Sequence, residues 1–171
     1  LFGKQRARLP RVILGHSQGG HGALLLATSF LENLIGVAAV APWSSKTKYG
    51  DANTRFKLDS RVESVDPALV AILDASIAEH DVDSHLSNSG GLKHWMIRVG
   101  TNDQVVHPFY ARRTSRLAAT ICQESVERIH REIPDKEHLW WDTHNANGGG
   151  CVNDPEMRAF FAKTLTSGDV H

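Results

Sequence analysis

The chain has 171 residues, 41% of them hydrophobic and 22% charged, enough for one domain with a sizeable core and too few for two. Nineteen Lys and Arg balance nineteen Asp and Glu, so a formal net charge of zero removes the electrostatic case for a nucleic-acid or anionic-membrane partner. The longest apolar runs fall far short of the roughly 20 residues that cross a bilayer, so no membrane insertion is expected.

Arg11-Val-Ile-Leu-Gly15 is a short apolar run ending at glycine, the pattern of a buried parallel strand. An Ala- and Leu-rich helical stretch follows from Gly20 to Phe30. Ile35 to Pro42 reads as a second buried strand, stopped by its proline, and His94 to Gly100 as a third. Ser125 to Ile133 alternates Val and Ile with charges, as a strand near a sheet edge does. Three further helices begin with proline in the first turn. The one at Asp66-Pro67 puts Leu69, Ile72, Leu73 and Ile77 on a single face. The one at His107-Pro108 aligns Tyr110, Thr114, Leu117 and Ile121. The one at Asp154-Pro155 turns Met157, Phe160, Phe161 and Leu165 inward and stops at Gly168.

Strand and helix alternate, which predicts an α/β domain with a mainly parallel sheet flanked by helices. Residues 44–92 are too many for an ordinary connection. They predict a helical excursion between the second and third strands, passing over the carboxyl edge of the sheet, where open α/β folds bind ligands. The chain opens at Leu1 without an initiator methionine and runs at once into a strand. It therefore reads as part of a longer protein.

Between the first strand and the first helix stands Gly15-His-Ser17-Gln-Gly19, a match to G-x-S-x-G. A serine nucleophile must be held on a sharp turn, clear of its neighbours, so that a base and a carbonyl carbon can both reach it. Glycines two places before and after remove side chains that would collide with strand and helix. Gly20 and Gly22 extend the small-residue run where the helix would pass close to the sheet. A serine hydroxyl is a weak nucleophile at neutral pH, so it needs a base held by a third group. In this architecture the order is serine, acid, histidine, each after a strand end. Asp103 follows the third strand and His138 the fourth, and both stand where that order requires. The backbone N–H of Gln18 is the expected first oxyanion donor.

The segments Gly15-His-Ser-Gln-Gly-Gly20, Val99-Gly-Thr-Asn-Asp-Gln-Val-Val106 and Glu137-His-Leu-Trp-Trp-Asp142 together resemble the catalytic domain of prolyl oligopeptidase-like serine peptidases, within the α/β-hydrolase superfamily. The resemblance runs from about Arg11 to Leu165 and is vague across the excursion. It implies Ser17 as nucleophile, Asp103 as acid and His138 as base, and a chain that is the carboxyl-terminal half of the fold. The earlier strands and the second oxyanion donor would then belong to a missing amino-terminal part, and the piece alone is expected to be unstable or inactive. The implied activity is acyl transfer on a peptide or ester substrate, with peptide favoured, and no metal or organic cofactor is called for. The alternatives are a carboxylic-ester hydrolase of the same fold and a non-catalytic hydrolase-like binding module.

His130 and His144 are competing bases, one inside a predicted strand and one deeper in the last loop. Asp135 and Glu137 read as solvated. His16, His21 and His107 stand close enough in sequence to line the site or merely pack. Trp43, Trp140 and Trp141 follow strand ends and either pack or wall an acyl pocket, whereas Trp95 reads as core. A metal site from His138, His144 and Cys151 is disfavoured, because ten histidines make such near-neighbours common. Cys122 and Cys151 are too few for a disulfide scaffold and read as two buried thiols, with one disulfide between them as the alternative.

Overall fold

The computed structural model describes residues 9–29, 33–45, 66–79, 81–121, 124–140, 150–152 and 154–167. Four strands, β1 (Arg11–His16), β2 (Leu34–Val40), β3 (His94–Gly100) and β4 (Glu127–Ile133), pair in that order, all parallel. The central pair is apolar along almost its whole length because both of its faces are covered. Val37 and Ala39 of β2 join Trp95, Ile97 and Val99 of β3 in the core on one side. Ala38, Val40 and Met96 enter the core on the other. Burial of side chains the size of Ile97 or Met96 stabilises the fold by about 1.5–3 kcal/mol each. The outer strands β1 and β4 are only half-buried or exposed.

Helix α1 (Gln18–Ser29) lies against β1 and β2 through Gly20, Ala23, Leu24, Ala27 and Thr28. Small residues on that face let the helix approach the sheet closely. Helix α2 (Pro67–Ala78) is capped by the Asp66 carboxylate, which accepts from the Ala68 N–H at 2.8 Å. Leu69, Ile72, Leu73 and Ile77 share one face as the spacing implies, but no residue of α2 is buried, and Leu69 and Ile72 are 47% and 67% exposed. Periodicity gives a stripe its direction along the helix, not something to lie against. A short helix α3 (Val82–His85) and a 3₁₀ turn (Leu86–Gly91) follow. Val82 and Leu86 are fully buried with Ala23, Leu24 and Ala27, so the returning half of the excursion packs beside α1. Residues 46–65 of the excursion lie outside the described residues.

Helix α4 (Pro108–Ile121) buries Ala111, Thr114 and Ala118, whereas Tyr110 and Leu117 are half-buried, so its core face is rotated from the expected one. The Thr114 hydroxyl donates to the Tyr110 carbonyl at 2.9 Å and is thereby buried without loss. Helix α5 (Pro155–Thr166) covers the opposite side of the sheet through Met157, Phe160 and Thr164. Its start matches the expected cap, with Asp154 accepting from the Met157 N–H at 2.9 Å. Leu165, expected inward, is 46% exposed, and Thr164 takes that place. Gly168, the expected stop, lies outside the described residues.

One charged side chain sits inside the sheet. Arg98, in the middle of β3, is 2% exposed and faces α5. Its guanidinium donates to the Asp154 carboxylate, lies 3.4 Å from Glu156, and has its Cζ 5.7 Å from the centre of the Trp140 ring. The residue that caps α5 therefore also neutralises a buried cation of β3.

Candidate active site

The carboxyl ends of β1, β3 and β4 each deliver one residue to the same edge of the sheet. At the end of β1 the chain turns through Ser17, whose φ of 56° lies in the left-handed region. A non-glycine residue is held there only when its surroundings over-determine it. The Ser17 N–H donates to the Val40 carbonyl at 2.8 Å, and the Ser17 carbonyl accepts from the His21 N–H at 3.1 Å. A Cβ on Gly15 would fall 1.9 Å from the Gly19 carbonyl oxygen, so the turn closes only over glycine there. The expected collisions are confined to part of the motif. Gly20 approaches the Val40 carbonyl, but Gly19 and Gly22 face open space. Gln18 is the first residue of α1, so its N–H has no acceptor inside the helix and stands at the positive end of the helix dipole.

After β3, Asp103 is completely buried. One carboxylate oxygen, Oδ1, accepts from the Val105 and Val106 N–H groups at 2.9 and 2.8 Å. The other, Oδ2, lies 2.8 Å from Nδ1 of His138, which is itself 15% exposed. A carboxylate can only accept, so the imidazole carries a proton on Nδ1, and in the neutral ring the lone pair is then on Nε2.

The loops that carry Asp103 and His138 are stitched to each other. Thr101 N–H donates to the Ile133 carbonyl at 3.0 Å and Asn102 N–H to the Lys136 carbonyl at 2.9 Å. A Cβ on Gly100 would lie 2.2 Å from the Lys136 oxygen, so the crossing of these loops requires glycine. The signal was present in the sequence, in the glycine that ends β3, but its purpose needs the crossing loop to be known.

Asp103 and His138 are thus in direct contact. Ser17 is one residue from His16, whose ring centroid is 4.6 Å from that of His138 and whose Nε2 donates to the His138 carbonyl at 2.8 Å. The Ser17 hydroxyl makes no hydrogen bond among the described residues. His130 is occupied elsewhere, with Nδ1 2.7 Å from the Ser115 hydroxyl on the α4 side of β4. His107 accepts from the Phe109 N–H at the start of α4, and Asp135 and Glu137 are exposed. His144 and Trp141 lie outside the described residues. Trp43 and Trp140 are 6% and 8% exposed and pack into clusters. Cys151 is a free, buried thiol whose pKa is raised by burial, and Cys122 lies outside the described residues. Among the described residues no three His, Cys, Asp or Glu side chains converge as metal ligands, and no helix is long and apolar enough to cross a membrane.

The sequence matches the family model described as "Putative esterase" over residues 2–147. No curated protein sequence matches it. Solved structures share its fold at low identity, and the neighbours are α/β-hydrolases. A Thermus thermophilus protein, TT1662, superposes with a TM-score of 0.60 at 18% identity, covering 98% of this chain and 58% of its own. Pyrococcus horikoshii acylaminoacyl peptidase gives 0.62 at 11% identity, over 92% of this chain and 24% of its own. Porphyromonas gingivalis dipeptidyl peptidase 4 gives 0.60 at 18%, over 91% and 19%. The chain therefore spans less than two thirds of the length of each.

Proposed function

We propose, from the premise that the chain belongs to the esterase family of the α/β-hydrolase fold, that it carries the nucleophile, base and acid of a serine hydrolase. Ser17 is the nucleophile, His138 the base and Asp103 the group that orients it. The observation that supports this most is the 2.8 Å contact from His138 Nδ1 to a fully buried Asp103, fastened beside a strained serine turn. With Nδ1 protonated, Nε2 takes the Ser17 proton as the oxygen attacks a carbonyl carbon. Catalytic hydrogen bonds are often loose in a free enzyme and tighten with substrate, so the Ser17 to Nε2 bond belongs to that state. Negative charge develops on the carbonyl oxygen and meets the Gln18 N–H, while Asp103 steadies the imidazolium. The protonated imidazole then gives its proton to the leaving alcohol or amine. Water, activated by the same nitrogen, releases the acyl group and restores the serine.

The family match favours a carboxylic ester as substrate, and that is the class we assign. The segment resemblance around Ser17, Asp103 and His138 favours the second reading, a prolyl oligopeptidase-like peptidase. Two measurements test these readings on the intact protein. A serine-directed fluorophosphonate should label it, and Ser17→Ala should abolish the label. A folded protein that is not labelled would instead be a binding module. Turnover of a short acyl ester against that of a proline-containing peptide anilide then separates esterase from peptidase.

A further inference from the structure

The turn that presents Ser17 is flanked by two histidines, His16 and His21, to which the proposed mechanism gives no part. Each makes a directed contact to a different loop of the carboxyl edge. His16 Nε2 is 2.8 Å from the His138 carbonyl. His21 Nδ1 is 3.0 Å from the Trp43 carbonyl, and its ring stacks on the Trp43 indole at 5.4 Å and 12°. A carbonyl can only accept, so His16 bears its proton on Nε2 and His21 on Nδ1.

We infer that His16 and His21 are positioning residues that register the base and acid loops against the nucleophile, an inference that rests on the serine-hydrolase reading. His16 ties the main chain of the base itself to the residue before the serine. His21 acts at longer range. Trp43 shares one buried cluster with Ala41 and Val106, and Val106 donates its N–H to Asp103. A movement of Trp43 is therefore passed through packed side chains to the turn that holds the acid. The three reacting groups come from segments far apart in the chain, and His16 and His138 stand 122 positions apart. The sheet sets where each strand ends, but past those ends the loops reach the serine turn through side-chain contacts such as these, which add to the backbone bonds between the loops. Misplacement by about 1 Å costs about 100-fold in rate.

The test exploits which nitrogen is used. A glutamine amide nitrogen falls near the histidine Nε2 position and an asparagine amide nitrogen near Nδ1. With the intact protein and a short acyl ester, His16→Ala and His16→Asn should lower kcat about 10- to 100-fold with little change in KM. His16→Gln should recover most of that loss. At residue 21 the order reverses, with His21→Asn recovering more than His21→Gln. Equal losses in the glutamine and asparagine variants at either position, or wild-type kcat in His16→Ala, would overturn the inference. If the wild-type protein resists fluorophosphonate labelling, the hydrolase reading has failed instead. The tether is then read by hydrogen exchange of residues 134–140. Faster exchange in His16→Asn than in His16→Gln supports it, and equal rates overturn it.

Discussion

Asp103 was legible in the sequence as an acid after a strand end, but its two oxygens have separate tasks that only folding assigns. Oδ1 caps a turn through two backbone N–H groups and Oδ2 holds His138. Asparagine can preserve the turn while presenting an amide N–H to Nδ1, which forces the imidazole into the other tautomer. Asp103→Asn should therefore lower kcat about 10⁴-fold and leave KM nearly unchanged, measured by ester turnover. Gly15 is a different case. Its place in the motif announced a requirement, and the 1.9 Å approach of a Cβ to the Gly19 oxygen gives the reason. Gly15→Ala should destabilise the protein by about 3 kcal/mol in chemical denaturation, with fluorophosphonate labelling lost as the turn opens. Nothing in the sequence, by contrast, marked Ala41, which adopts a φ of 49° beside the site without being glycine.

At the scale of elements, the helix starts were the most readable features. Proline with a preceding aspartate is a local signal, satisfied within one turn, and Asp66 and Asp154 both cap as their positions imply. Helix faces were read less well. The buried side of α4 runs through Ala111, Thr114 and Ala118, and the larger Tyr110 and Leu117 are displaced to its flanks. Close packing on a sheet favours small residues, so the bulkiest stripe is not always the innermost. Arg98 escaped notice because a charge in an apolar strand has no meaning until its partner is placed. Breaking a buried ion pair leaves the partner charge uncompensated, so Arg98→Ala should cost about 3–5 kcal/mol in urea unfolding.

At the scale of the whole molecule, the balance of charges conceals a strongly perturbed group among the described residues. The Arg112 guanidinium grips Glu132 with two contacts of 2.6 Å, joining α4 to the edge strand β4, and holds its carboxyl at about 2 instead of the usual 4.5. A folded-state value below the unfolded one adds stability that is complete above pH 4.5 and is lost as the pH falls towards 2. Thermal unfolding followed across that window should show Glu132→Gln losing less stability than the wild type on acidification. The sequence alone determined the alternation of elements, the parallel sheet and the chain order in which Ser17, Asp103 and His138 follow strand ends, because these rest on local patterns and on the direction of the chain. Tertiary structure decided which histidine meets Asp103, how the loops cross at Gly100 and where Arg98 finds its counter-ion. Each of those depends on atoms more than 30 residues apart arriving within 4 Å, and no local pattern of side chains specifies such a meeting.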